Sequence, residues 1–301
     1  MDINKISAKG SIDKKHLLTL SNYKEEEIYE ILLRARDLSF KLAVGEKITD
    51  LKDKFVLLIT KRSFARSRIA FEVAVSKLSG KSVVTTLHGS ELEELLADKL
   101  SIASLESYGM QAVVVQTSEI SDAETIEKSV NIPIINANSK CGPCETLSML
   151  YTIWQKKGRL TGLKATLIGR PDEFADSVVY GFANSGLDLT FVCPEEFYPS
   201  DKITGFCKQF GDVAVTESLA DGVKNADVIF VSDDELPDDY TLTDSELNLA
   251  KPDAVVLRIL PLSENGNVSE EVVSSPNFCA LDEAKNLPLI EMAALSLLVN
   301  K

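Results

Sequence analysis

The sequence predicts an α/β protein of two doubly wound parallel-sheet domains linked by helices, and three observations lead there. A chain of 301 residues has room for about two domains at roughly 150 residues each. Short apolar runs alternate with helix-length segments carrying charges, as buried parallel strands with crossover helices do. The alternation breaks at Gly158–Gly162 and then starts again. The first domain is placed at residues 1–150 and the second at 151–282, with a C-terminal helix over 283–301 that can pack back on the first.

The first element is a helix: Asn22 and Glu25 have capping-box spacing, and Ile28, Ile31, Leu32, Ala35 and Leu38 follow at helical intervals. Strands are expected at Phe55–Ile59, Val83–Val84, Ala112–Val115 and Ile132–Ile135, separated by helices such as Arg66–Leu78 and Glu91–Glu106. A long helix opening near Pro143 runs through Leu147, Leu150, Tyr151 and Trp154 to bridge the halves. Strands then recur at Ala165–Ile168, Leu189–Val192, Val213–Val215, Val228–Val231 and Ala254–Leu257, and a helix at Asp282–Val299 closes the chain.

Composition narrows the function. With 46 acidic and 32 basic residues the net charge is −14, so a nucleic acid or an anionic membrane meets repulsion over most of the surface. The apolar content of 45% suits packed cores, and no run approaches the eighteen or so apolar residues of a spanning helix. Residues 1–15 lack the apolar stretch of a secretion signal, and five scattered cysteines do not read as a disulfide framework, so a cytoplasmic location is expected. His16, His88 and the dispersed cysteines offer no metal-ligand spacing, and no dinucleotide or phosphate-loop fingerprint is present. Neither a metal nor a cofactor is expected.

Ligands of open parallel sheets sit beyond the carboxyl ends of the strands. The loop after Phe55–Ile59 reads Thr60-Lys61-Arg62-Ser63-Phe64-Ala65-Arg66-Ser67-Arg68 and leads into a helix. Cations and hydroxyls at a helix N-terminus favour an anion such as phosphate or carboxylate, since the free N–H groups and the dipole already favour negative charge. A solvated basic loop balancing an acidic protein is the alternative.

Arg66-Ser67-Arg68-Ile69-Ala70-Phe71-Glu72 resembles the Ser-Thr-Arg-Thr-Arg loop and following Ala-Phe-Glu helix of the aspartate and ornithine carbamoyltransferases. His16-Leu17-Leu18, Leu96-Ala97-Asp98, Gly169 with Ser177, Ala226-Asp227-Val228-Ile229 and Leu260-Pro261 fall in that family's order, so the likeness covers nearly the whole chain. It implies a carbamoyl-phosphate domain, an amino-acid domain, and active sites shared within a homotrimer. It further implies that Arg66 and Arg68 bind phosphate and carbonyl oxygens and that Ser67 supplies the loop hydroxyl. The ligands would be carbamoyl phosphate, or another small anion, and an amino-acid acceptor read by Arg258 and Leu260.

Several positions depart from the family pattern. Phe64 and Ala65 stand where loop hydroxyls are expected, Gly142 and Glu145 replace the histidine and glutamine of a His-Pro-x-Gln helix start, Glu173 falls in an Asn-Asn-Val stretch, and Leu287 replaces an arginine. Three readings follow: a carbamoyltransferase; an inactive member acting as a binding, regulatory or scaffold subunit; and, from Cys141-Gly142-Pro143-Cys144, thiol–disulfide chemistry. Arg258 also has a purely structural alternative, an ion pair to Asp233 or Asp234.

Overall fold

The computed structural model describes residues 9–60, 65–87, 90–117, 119–137, 142–232, 236–260, 262 and 266–300, without the side chains of Glu173, Ala175 and Asp176. Two compact units divide the described residues, one holding those up to Cys144 together with those from Leu287 onward, the other Glu145–Asn286.

The first unit is built on a four-stranded sheet in the order β2-β1-β3-β4, with β1 Phe55–Thr60, β2 Lys81–Thr86, β3 Met110–Gln116 and β4 Ile134–Asn136. Every pairing is parallel, and the register sets Leu58 beside Val84 and Val114. Its helices are α1 Glu25–Ala43, α2 Ala65–Lys77, α3 Ser90–Ala97, α4 Lys99–Ser107 and α5 Ile120–Glu127. Leu57, Ile59, Val113 and Val115 share one face of the sheet and pack in a cluster with Ile102 of α4 and Ala123 and Ile126 of α5.

Two boundaries differ from expectation. α1 begins at Glu25, two residues later than an Asn22 cap would start it, with Lys24 as the cap residue, its N–H donating to Glu27 Oε2 at 3.0 Å. The helix expected over Glu91–Glu106 is two helices, because the Asp98 carboxylate accepts hydrogen bonds from the N–H groups of Leu100 at 3.0 Å and Ser101 at 3.2 Å and so caps a new start.

The second unit holds a five-stranded parallel sheet in the order β7-β6-β5-β8-β9: β5 Lys164–Ile168, β6 Asp188–Val192, β7 Val213–Thr216, β8 Val228–Val231 and β9 Val255–Leu257. Its strands are apolar runs because crossover helices cover both faces. Those helices are α6 Pro143–Lys157, α7 Tyr180–Asn184, α8 Asp201–Cys207, α9 Leu219–Val223, α10 Asp244–Leu247 and α11 Glu270–Val273. α12 spans Ala280–Val299, and both chain crossings between units fall inside helices, in α6 and α12. At the amino ends of the strands, Lys157 Nζ lies 2.8 Å from Asp253 and 3.9 Å from Asp227, and Asp227 also pairs with Lys251 at 2.7 Å. Among the described residues no helix is long and apolar enough to cross a membrane.

Candidate ligand-binding site

In a doubly wound sheet the crevice opens where the strand order reverses. In the first unit that point lies between β1 and β3, whose last residues, Thr60 and Gln116, are register partners. Strand side chains alternate between faces, so the direction of Ile59 and Val115 toward α4 and α5 sends Thr60 and Gln116 to the opposite face. The β1–α2–β2 crossover runs away from β3, whereas those carrying α4 and α5 run the other way, so right-handed connections place α2 on that opposite face. Ser67, Phe71, Ala74 and Val75 are the buried side of α2. Ser67 and Gln116 thus belong to the same layer at the carboxyl end of the sheet.

This end is buried yet polar. Gln116 is 0% exposed and Ser67 2%, with Thr60, Thr117 and Asn136 also buried. Asn136 Nδ2 donates to the Leu18 carbonyl at 2.9 Å, and Thr117 Oγ1 donates to the Glu119 carbonyl at 3.1 Å. Ser67 Oγ and both amide atoms of Gln116 have no hydrogen-bond partner among the described residues. Native interiors leave few such groups, and each one asks for an explanation. The first N–H groups of α2 have no intrahelical acceptors either, so the helix start adds donors and a positive dipole end to the same place.

The sequence-predicted residues separate accordingly. Arg66 is half-buried in the first turn of α2, whereas Arg68 Nε turns along the helix to Glu72 Oε1 at 3.5 Å. Ala65 is exposed at the helix start, and Phe64, with Lys61–Ser63, lies outside the described residues. Gly142 is buried ahead of α6, and Glu145 is fully buried in its first turn, where a carboxylate is favoured by the dipole. Leu287 is a core side chain at 1% exposure, and its neighbour Asn286 donates through Nδ2 to Thr152 Oγ1 at 2.9 Å and Gln155 Oε1 at 2.7 Å. Sequence reasoning missed Gln116; the available signal was a polar residue closing an apolar strand at its carboxyl end.

In the second unit the order reverses between β5 and β8. Gly169 follows β5 with φ 147°, and a Cβ there would stand 2.0 Å from Ser232 Oγ, the residue after β8. The chain continues through a 3-10 turn at Pro171–Glu173 and a π turn at Ala175–Val179, a form frequent at functional sites. Phe174 meets Phe230 edge-on at 5.4 Å and is a core residue. Arg258, 2% exposed after β9, lines a cavity of about 310 Å³ with Leu262, Gly266, Val268, Glu270, Val273 and Ser274. Leu260 is half-buried; Pro261, Asp233 and Asp234 lie outside the described residues.

Thiol chemistry finds little support where it can be read. Cys144 is buried at 1% exposure, and Cys141 lies outside the described residues. Burial pushes the Cys193 thiol up to about 11, with Glu217 adding to it, and the Cys207 thiol up to about 12, far from a reactive thiolate. Among the described residues no cluster of three or more His, Cys, Asp or Glu side chains could hold a metal ion.

Comparison with known proteins matches both halves of the chain to domain families. The aspartate/ornithine carbamoyltransferase carbamoyl-P binding domain matches residues 15–155, and the Asp/Orn binding domain matches 161–298. The ornithine carbamoyltransferase of Methanosarcina mazei is 30% identical over 290 residues, covering 91% of this chain and 95% of its own. The solved ornithine carbamoyltransferase of Pyrococcus furiosus superposes with a TM-score of 0.86 at 25% identity, covering 98% of each chain. Aspartate transcarbamoylase from Trypanosoma cruzi, solved with carbamoyl phosphate, shares the fold at TM-score 0.83 and 19% identity, over 97% of this chain and 98% of that one.

Proposed function

The chain belongs to the aspartate/ornithine carbamoyltransferase family, and on that premise we propose that it transfers a carbamoyl group from carbamoyl phosphate to the amine of an amino-acid acceptor. The phosphate sits at the start of α2, on the helix N–H groups, Arg66 and the Ser67 hydroxyl, with Arg68 adding charge at the rim. The amine nitrogen attacks the carbonyl carbon, the C–O bond to phosphate breaks, and one proton passes from the amine to the departing phosphate. Orientation and charge stabilisation suffice for this step, and each donor removed from such a site lowers the rate by about 10²–10³-fold.

The observation that carries this reading is the buried Ser67 hydroxyl at a helix start, without a hydrogen-bond partner among the described residues. A member that had lost its ligand would gain stability by replacing such a group with an apolar one, so retention speaks for use rather than for an inactive scaffold. Arg258, which lines its cavity, is the cation assigned to an acceptor carboxylate, with Leu260 two residues on in sequence. The acceptor class is an ornithine- or aspartate-like amino acid. We also assign the protein to a homotrimer: Val83 and Val84 on edge strand β2 and Ile69 and Val73 on α2 expose apolar side chains that a second copy would cover.

Calorimetry with carbamoyl phosphate tests the reading, followed by detection of a ureido product with ornithine or aspartate as acceptor. Micromolar binding that weakens at least tenfold in Arg66→Ala and Ser67→Ala is expected; no binding at millimolar ligand would overturn it.

A further inference from the structure

The segment before α1 extends the first sheet. Leu17 forms a parallel bridge with Ile135 on the outer side of β4: its N–H donates to the Ile134 carbonyl at 2.9 Å, and its carbonyl accepts the Asn136 N–H at 2.8 Å. A regular parallel ladder would continue with the Ile134 N–H donating to the Lys15 carbonyl. A side chain makes that rung instead, since the Ile134 N–H donates to His16 Nδ1 at 3.2 Å. An Nδ1 that accepts carries no hydrogen, so the ring is the neutral tautomer with its proton on Nε2. Ile134 is fully buried and His16 half-buried.

We propose that His16 is a pH-sensitive latch: its neutral imidazole ties residues 16–18 to the edge of β4, and protonation in mildly acidic solution releases them. Protonation puts a hydrogen on Nδ1, which then meets the Ile134 N–H donor to donor. A buried N–H that loses its acceptor in this way disfavours the charged ring by about 10–100-fold. Among the described residues, the charged and titratable groups that bear on this balance come from α5, from the turn before α1 and from the segment itself; β4, Ile134-Ile135-Asn136, carries none. Glu127 of α5 lies 3.8 Å from Nε2 and favours the imidazolium, but a partly exposed pair at that distance is worth less than about tenfold. Tyr23 donates its hydroxyl hydrogen to the His16 carbonyl at 2.8 Å, and burial, followed by Glu27 and Cys144, pushes that hydroxyl up, so it stays a donor throughout. Asp13, Lys14 and Lys15 precede the ring in sequence, with Lys14 Nζ 5.9 Å from the Tyr23 ring centre, and their net positive charge opposes a second one. The neutral ring therefore prevails in the folded chain. Its contribution is present above the unfolded histidine value, about 6.5, and is lost as pH falls through the lower folded value.

The experiment follows the full chain from about pH 8 to about pH 5 by two readouts, the NMR titration of the His16 ring and the hydrogen exchange of the Ile134 and Leu17 amides. His16→Asn is the comparison, because its Oδ1 takes the place of Nδ1 as an acceptor and does not titrate. Glu127→Gln removes the group that favours the charged ring. His16 is expected to titrate below its value in the urea-unfolded chain, and the protection of both amides, corrected for intrinsic exchange, should fall by about tenfold or more across that range. His16→Asn should keep both amides protected throughout, and Glu127→Gln should carry the His16 titration to still lower pH. A His16 midpoint at or above the unfolded value, protection that holds to the acid end, or an equal loss of protection in His16→Asn would overturn the latch. Should His16→Asn fail to fold, the titration and exchange of the unsubstituted protein decide the matter alone. No readout involves carbamoyl phosphate, so the outcome is independent of the transfer reading.

Discussion

The Arg258 guanidinium occupies the space beside the Gly266 backbone: a Cβ on Gly266 would stand 1.9 Å from Nη1 and 2.3 Å from Cζ. Arg258 is 2% exposed, so its head can shift only within the cavity that it lines, and Gly266 is the residue that leaves it room. Gly266→Ala is expected to displace the guanidinium and lower stability by about 1–3 kcal/mol, read from the urea midpoint. Gly205→Ala, in α8 with no atom within 4 Å of its Cβ, is the comparison and should be neutral or stabilising by up to ~1 kcal/mol. Equal effects at the two sites would show that the guanidinium is not confined.

The Asp227 carboxylate joins three segments of the second unit, accepting the Lys164 N–H at 3.0 Å, pairing with Lys251 at 2.7 Å, and lying 3.9 Å from the buried Lys157. Asp227→Ala leaves Lys157, among the described residues, with only Asp253, whose side chain is 74% exposed, and should destabilise the protein by about 3 kcal/mol. Asp253→Ala removes an exposed partner and should change stability by less than about 1 kcal/mol. Chemical denaturation of the two variants checks the order; a larger effect at Asp253 would refute it.

Acid should open the first turn of α4. The Ser101 hydroxyl, and next the Leu100 N–H, hold the Asp98 carboxyl below its ordinary value of 3.8. A depressed carboxyl contributes stability above its unfolded pKa, about 3.9, and that contribution is lost as pH falls through the lower folded value. Amide exchange at Leu100 and Ser101 is expected to lose protection below about pH 4 relative to other helix starts. Asp98→Asn, which caps without titrating, should abolish the pH dependence; protection that falls equally in both proteins would exclude the carboxylate as its source.

Strands that are apolar runs between turn signals are legible, so Val228–Val231 is placed to the residue and Phe55–Ile59 to within one, whereas β2 shows only Val83–Val84 of Lys81–Thr86 and β4 begins two residues after Ile132. The break at Asp98 was not, since Leu96 and Leu100 continue a helical pattern across it and only the capping geometry ends the helix. At the site, Arg66 and Ser67 stood out through a short local pattern. Gln116 did not, because its meaning depends on strand register with Thr60 and on the absence of a partner among the described residues, neither of which is a property of neighbouring letters. Gly266 is similar: its requirement comes from Arg258, a residue brought to it only by the turn after β9. Arg68 follows Arg66 by two residues, and two helical steps of about 100° each carry its side chain to the Glu72 side.

The first unit is discontinuous in the chain, completed by Leu287–Asn300. Leu287, Ile290 and Leu295 are core residues there, and Arg34 Nε of α1 donates to Ser296 Oγ at 3.1 Å, while Lys54 Nζ reaches the Val299 carbonyl at 3.3 Å. During synthesis, then, the amino-terminal half emerges first but is finished last. Until α12 has been made, the surface that it covers in the first unit stays open, and a cut after residue 286 separates that unit from the segment that completes it.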